Sequence, residues 1–256
     1  MKDDLGDRMK ENYESRSQFK LIRRMPVIIR LDGKAFHTFT KGFDKPFDEA
    51  LCEAMADTTK YLCENIQGCV LGYTQSDEIT LVLVDYQNLN SEAWFDYKVQ
   101  KLCSVSASMT TLCFNENLKY YSEEYYDPFD NDDYNKAYHD FITGKTHAYF
   151  DSRCFNIPKE EVTNCLIWRQ KDATRNSISS VGQYYFSPKE LNGKSSSDIQ
   201  DMLMKEKQVN WNDLPIKYKR GICCIKTENG WEKDYQIPIF TQDRNYIERL
   251  INFENE

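Results

Sequence analysis

The strongest constraint on this chain is a pair of acidic turns, each at the end of an apolar run. Met25-Pro26-Val27-Ile28-Ile29 leads through Arg30-Leu31 into Asp32-Gly33. Cys69-Val70-Leu71 and Ile79-Thr80-Leu81-Val82-Leu83-Val84 flank the turn that holds Ser76, Asp77 and Glu78. Val/Ile/Leu runs bounded by Gly read as buried strands. If those strands adjoin, Asp32 and Asp77 meet at one end of a sheet. Two carboxylates forced together repel, and take up a proton unless positive charge lies between them. Mg²⁺ meets that need through one or two carboxylates plus substrate phosphates. Gly33 lets backbone approach a phosphate closely, and its carbonyl offers a third oxygen ligand. A lone Asp-Gly is more simply a turn; it is the pair that points to a metal.

The elements around these turns come in a recognisable order. Strand one covers 26–31. Asp48 caps a helix in which Ala50, Leu51, Ala54, Met55, Thr58, Tyr61, Leu62 and Ile66 recur at helical spacing, ended by Gly68. The runs 69–75 and 79–85 form an antiparallel hairpin. A second long helix covers 91–115, and a strand falls in 145–155. The result is β-α-β-β-α-β, a split ferredoxin-like order, in an α+β protein. Before it, Asp7 to Arg24 carries a loose helical pattern. Phe36, Phe39 and Phe43 anchor the loop after strand one. Tyr120 to Asn135 reads as an inserted, solvated acidic loop; it lacks the Gly and terminal Glu of an EF-hand. The remainder predicts a helix over 159–181, a helix start at Ser187-Pro188-Lys189-Glu190, a short helix from Asp198 to Lys205, and strands 221–226 and 234–240 around Glu228-Asn229-Gly230. No repeat or low-complexity linker divides the chain. We therefore expect one compact unit over 1–256, with the β-α-β-β-α-β core in 20–155 and a helical and hairpin elaboration in 156–256.

At 256 residues the chain can bury a core without disulfide staples. No apolar run approaches the ~20 residues of a membrane span, and Met1-Lys2-Asp3-Asp4-Leu5 lacks the apolar core of a signal peptide. The nine cysteines are odd in number, form no CxxC pair and mostly sit in apolar runs. They read as reduced core residues of a cytoplasmic protein. A net charge of −8 argues against a protein that simply coats nucleic acid. It leaves room for a local basic track, because charges farther off than ~8 Å are screened at physiological salt.

The cations therefore matter individually. Lys45 precedes Pro46-Phe47-Asp48, and Lys98 and Lys101 share a helical face at i, i+3. Each reads either as solvated surface or as a point charge for phosphate. His37 reads as a partner of loop backbone or as a contact to phosphate or base. Arg169, Asp172 and Asn176 fall near one helical face with Arg175 close by, either as an internal Asp–Arg network or as a substrate contact. Lys217-Tyr218-Lys219-Arg220-Gly221 sets basic groups beside an aromatic, a pattern that suits a nucleic-acid backbone.

Taken together, Arg30-Leu31-Asp32-Gly33-Lys34-Ala35-Phe36-His37, Phe43-Asp44-Lys45-Pro46-Phe47-Asp48 and Gly72-Tyr73-Thr74-Gln75-Ser76-Asp77-Glu78 resemble the tRNA-histidine guanylyltransferase family and its guanylyltransferase-like, 3′-5′ polymerase branch. Lys98 and Lys101, Phe150-Asp151-Ser152-Arg153, Trp168-Arg169-Gln170 with Asp172, and Lys219-Arg220-Gly221 extend the resemblance over roughly 20–226. It implies a core like the palm of polymerases and nucleotidyl cyclases. It implies a nucleotidyltransferase that adds nucleotides to tRNA 5′ ends, with ATP or GTP as activating substrate. Asp32, Asp77 and the Gly33 carbonyl would bind two Mg²⁺, with Glu78 as a nearby acid. Asp32 to His37 (with Lys34, Ala35 and Phe36), Lys45, Asp48, Ser76, Asp77 and Lys101 would hold nucleotide. Arg169, Asn176, Lys219 and Arg220 would face tRNA, and the assembly would be a homotetramer.

One departure narrows the expectation. The eukaryotic type carries His-Ile-Asn-Asn where this chain has Thr174-Arg175-Asn176-Ser177, and an Asn where it has Phe47. That favours template-dependent repair of truncated 5′ ends, where pairing selects the nucleotide and the protein reads helix geometry. Dedicated G addition to tRNA-His is the alternative, followed by a palm-type nucleotidyl cyclase and by a non-catalytic RNA-binding protein. The intact Asp32/Asp77 pair argues against the last.

Overall fold

The computed structural model describes residues 4–127, 129 and 132–253. Strands β1 (Val27–Gly33), β2 (Cys69–Gln75), β3 (Glu78–Leu83), β4 (Phe150–Asn156), β5 (Ile222–Thr227) and β6 (Gly230–Asp234) form one sheet in the order β4-β1-β3-β2-β5-β6. Every pairing is antiparallel. The helices are α1 (Asp4–Asn12), α2 (Phe36–Phe39), α3 (Glu49–Asn65), α4 (Val99–Tyr125), α5 (Asp133–Ile142), α6 (Lys159–Tyr185), α7 (Pro188–Leu191), α8 (Ser196–Met202), α9 (Ile216–Arg220) and α10 (Asn245–Ile251).

Alternation along β1 and β3 builds two cores. Val27, Ile29 and Leu31 with Ile79, Leu81 and Leu83 face α3 and α4. Ile28 and Val82 face the other way, onto Val162 and Leu166 of α6 and Ile247 of α10. Side chains of a strand alternate in this way, and each fully buried Leu, Ile or Val contributes ~1.5–3 kcal/mol. Arg30, Asp32 and Glu78 occupy the α6 side of the same alternation. Gly72 lets α3 lie close on β2, for a Cβ there would stand 2.5 Å from the Cys63 Sγ. The core is thus the expected β-α-β-β-α-β palm, and the terminal hairpin β5–β6 extends it beyond β2.

The second long helix starts at Val99 and not at 91, and the structure departs from expectation in three further places. The acidic insertion is largely helical: Tyr120 to Tyr125 belong to α4, and Asp132 caps α5 by accepting the Asn135 N–H at 2.7 Å. Tyr134, Tyr138 and Phe141, spaced i, i+4, i+7, bring α5 against Phe43 and Phe39; residues 128, 130 and 131 lie outside the described residues. The opening helix stops at Asn12, because Met9, Tyr13, Phe19 and Ile22 are all exposed and have no face to cover. The last strand is 230–234 and not 234–240. Its tight turn starts pairing at Gly230, the Asp234 carboxylate accepts the Gln236 N–H at 2.8 Å, and Pro238 has no N–H to offer a ladder.

Candidate active site at the acidic sheet edge

The β2–β3 hairpin turn and the end of β1 are stitched together. Asp32 pairs in register with Glu78, and the Gly33 N–H donates to the Asp77 carbonyl at 3.1 Å. Asp32 and Asp77 therefore stand on adjoining strand ends. Both loops hold a non-glycine residue in the left-handed region, Ser76 at φ 50 and Ala35 at φ 53. Such conformations cost of order 1–3 kcal/mol and persist where surrounding structure enforces them. Gly33 is required by its neighbour, because a Cβ would fall 2.2 Å from the Phe36 ring. That ring packs on Phe39, Phe114 and Phe150.

The two aspartates are short of positive charge. Burial pushes the Asp32 carboxyl above its ordinary range, and the charges of Glu78 and Asp151 push it further. Arg153 opposes this from 3.6 Å. Burial likewise raises Asp77; its own backbone N–H opposes, and the charge of Asp32 adds to the rise. A cation between them removes the conflict. Among the described residues no group of three or more His, Cys, Asp or Glu side chains gathers as an ion cage. The remaining oxygens must come from backbone, water or substrate, which is how Mg²⁺ is ordinarily held. The donor set fits that ion.

Glu78 is a different kind of acid. Arg169 grips it with two hydrogen bonds, Nε to Oε1 at 2.6 Å and an Nη to Oε2 at 2.7 Å, and Arg30 donates to Oε2 at 2.7 Å. Arg169 also donates to Asp172 at 2.9 Å. The Glu78 and Arg169 side chains are each only 6% exposed. Two expectations are corrected here. Glu78 is committed to guanidinium groups and has no oxygen free for chemistry. Arg169 is an internal tie between α6 and the hairpin, since a buried bidentate pair leaves it no reach toward tRNA.

Beside Asp77 opens a cleft of ≈ 420 Å³. Phe36 and His37 of α2, the segment Asp44 to Asp48, and Thr74 to Asp77 form one side. Ala173, Asn176, Ser177 and Ser180 of α6 and Lys217 and Tyr218 of α9 form the other. Its inner wall is apolar, with Leu51, Cys52, Met55 and Ile222. Phe47 stacks on Tyr218 at 4.6 Å and 6°. Lys217 is tied to Glu49 and, at 3.1 Å, to Glu53, while the Tyr218 hydroxyl also donates to Glu49. The Phe47–Tyr218 wall was not legible in the sequence, because the two rings lie far apart in the chain. Asp151 and Arg153 carried a signal in their two-residue spacing, which puts both on one face of β4.

Of the residues read from sequence, Phe36, His37, Lys45, Asp48, Ser76, Asp77 and Asn176 border this cleft. Gly33, Lys34 and Ala35 form the turn that leads into it. Asp48 uses its carboxylate on the fold: it caps α3 through the Leu51 N–H at 2.8 Å, and accepts the Asp44 N–H and the Tyr138 hydroxyl, each at 3.0 Å. Lys101 lies elsewhere. Cys103 and Ser106 of α4 face Cys154 and Ser152 of β4, so Lys101 stands level with the far end of β4. Asp32 pairs with Asp151, roughly 15 Å back at ~3.3 Å per residue. Lys101 borders a separate groove with Arg23 and Asp96, so within one chain it does not reach the cleft. Lys219 is 7% exposed, donates to the Asn212 carbonyl and covers the Trp211 ring. It is a structural lysine and no phosphate contact. Arg220 is half-buried, and its carbonyl accepts the Tyr73 hydroxyl at 2.6 Å.

An antiparallel palm with Asp32 and Asp77 on adjoining strand ends, and a nucleotide-sized cleft beside Asp77, is the architecture of a nucleotidyltransferase. The family model described as tRNAHis guanylyltransferase matches residues 6–158, and the chain belongs to that family. A solved bacterial tRNA(His) guanylyltransferase-like protein in complex with ATP is 47% identical, with a TM-score of 0.85 over 97% of this chain and 99% of that one. Another such bacterial protein, in complex with GTP, is 41% identical, with a TM-score of 0.76 over 97% and 99%. A probable tRNA(His) guanylyltransferase of Dictyostelium discoideum is 27% identical over 80% of this chain and 77% of its own length. Among the described residues no helix is long and apolar enough to cross a membrane.

Proposed function

We propose that this chain adds nucleotides to tRNA 5′ ends in the 3′-to-5′ direction, using the opposite strand of the acceptor stem as template. The observation that carries the reading is the Gly33 N–H to Asp77 carbonyl bond, which ties the strand end that bears Asp32 to the turn that bears Asp77, and Asp77 borders the cleft. A ≈ 420 Å³ cleft with an apolar inner wall suits a nucleoside. Asp77 at its border and Asp32 on the adjoining strand end, with the Gly33 carbonyl, would hold two Mg²⁺. Once bound, such ions neutralise phosphate charge and polarise the phosphoryl oxygens in an in-line displacement.

The residues supply positioning. The cleft orients an ATP or GTP so that its α-phosphate lies near Asp32 and Asp77, and Lys45 meets the phosphate tail. A 5′-monophosphate oxygen of the RNA attacks that α-phosphorus, and pyrophosphate leaves. The 3′-hydroxyl of an incoming nucleoside triphosphate then attacks the activated 5′-phosphate, and the nucleoside monophosphate leaves. His37 and Asn176 contact the bound nucleotide from opposite sides of the cleft. Phe47 and Ser177, where the eukaryotic type has Asn, support a site that leaves base choice to the template.

The test is incubation of 5′-truncated, monophosphorylated tRNA with Mg²⁺ and all four triphosphates, varying the base opposite the missing position. We expect extension by the complementary nucleotide. Addition of G whatever base stands opposite would replace repair with dedicated G addition. Labelled cyclic nucleotide without RNA extension would overturn both.

A further inference from the structure

We propose that Trp168 is a stacking platform for the 5′-terminal nucleotide of the RNA, on the side of the aspartates away from the nucleotide cleft. The proposal deepens the function proposed above and rests on it. Trp168 is 50% exposed although it sits on α6 beside the buried Glu78 network. Its ring is held in place: the Arg30 guanidinium lies 5.2 Å and the Arg169 guanidinium 4.5 Å from its centroid. Glu78 anchors both arginines. A large aromatic fixed by buried ion pairs yet half open to solvent is a preorganised surface.

Its place on the sheet gives the surface a use. Arg30 lies two residues before Asp32 on the same face of β1, so the indole covers the face of β1 that carries Asp32. The strand order β4-β1-β3-β2-β5-β6 puts the nucleotide cleft toward β2 and β5 and Trp168 toward β1 and β4. By that order the aspartates lie between, where the activated 5′-phosphate of the RNA would meet the attacking 3′-hydroxyl. Two further guanidinium groups belong to the same elements: Arg153 is the register partner of Arg30 on β4, and Arg175 lies two turns along α6 from Trp168. Arg153, 51% exposed, bridges Asp151 at 2.9 Å and Asp32 at 3.6 Å. Arg175, 65% exposed, pairs with Asp172. A half-exposed ring on α6, with exposed cations on α6 and on β4, suits one terminal nucleotide: the base stacks on the ring and the phosphates meet the arginines.

The experiment uses a 5′-monophosphorylated RNA hairpin with 2-aminopurine as its 5′-terminal base, and the full chain. We expect wild type to quench the fluorophore. The quenching is lost in Trp168→Ala and retained in Trp168→Phe. The KM for the hairpin rises about tenfold in Trp168→Ala, the scale of one lost base–aromatic stack, while the KM for ATP is unchanged. Trp168→Leu keeps the arginines covered and gives the same result if Trp168→Ala melts early. Equal quenching by wild type and the Ala and Leu variants overturns the platform, as does Trp168-dependent quenching of free 2-aminopurine riboside triphosphate at equal affinity. Quenching that depends on Trp168 without extension of the hairpin would uphold the platform and overturn the proposed function instead.

Discussion

Asp77 and Glu78 are adjacent in the chain and opposite in circumstance. Glu78 is buried against two guanidinium groups that satisfy both of its oxygens. Asp77 sits at a turn with Asp32 as its neighbour, and burial and like charge both push its carboxyl up. An acid with complete partners holds structure together. An acid left with unresolved repulsion is held ready for a ligand that brings positive charge. The same contrast separates Lys219, enclosed over Trp211, from Lys45, exposed at the cleft.

The largest expected effect tests the unresolved side of that contrast. Asp32→Asn and Asp77→Asn should each lower nucleotide transfer by more than about 100-fold, since even residues that only support a metal's ligands cost 10–100-fold. Melting temperature should stay level or rise, because a repelling charge has gone. Single-turnover kinetics with a parallel thermal melt checks both halves, and retained activity would break the comparison. Glu78→Ala should do the reverse at the level of stability. Stripping one partner from a buried ion pair typically costs ~3–5 kcal/mol; a urea midpoint equal to wild type would show that the network is not what joins α6 to the hairpin.

The acidity of the pair gives a smaller and signed effect. With Asp32 and Asp77 both raised, the folded metal-free chain binds more protons than the unfolded one as pH falls toward the carboxylate range. Their contribution to stability therefore improves on acidification from neutral pH, and is lost as pH rises through the raised values. Mg²⁺ competes with those protons. Its stabilising shift in melting temperature should be larger at about pH 7.5 than at about pH 5, and a shift independent of pH would remove the aspartates from the ion site. The smallest effect belongs to Lys219. Its Ala variant should lose ~1–2 kcal/mol of stability through the abandoned Asn212 carbonyl. The salt dependence of tRNA binding should keep the same slope, whereas a shallower slope would return Lys219 to the phosphate backbone.

Much of this molecule was legible from one dimension. The apolar runs, the Asp48 cap and the helical spacing of 50–66 are local patterns, and they yielded β1, α3 and the β2–β3 hairpin within a few residues. The resemblance in three motifs named the family. The misreadings share a cause. Residues 120–142 look polar, yet Tyr134, Tyr138 and Phe141 bury one face, and hydroxyl-bearing rings do not declare themselves as core. Arg169 and Glu78 do not declare their roles because they are each other's partners from 91 positions apart; Lys219 is enclosed by Asn212 and Trp211, and nothing in the local pattern marks that turn as closed.

Sequence by itself determined where β1, β2 and β3 run and that each acid stands at a strand end, because alternation and turn chemistry act between near neighbours. Only the tertiary structure decided which charges are spent and which are free. Arg169 reaches Glu78 across 91 positions of chain, and the cleft closes when α9 brings Tyr218 onto Phe47. The physical reason is range. Backbone geometry is a local property, whereas the energy of a charge depends on whatever the fold places within a few ångströms of it.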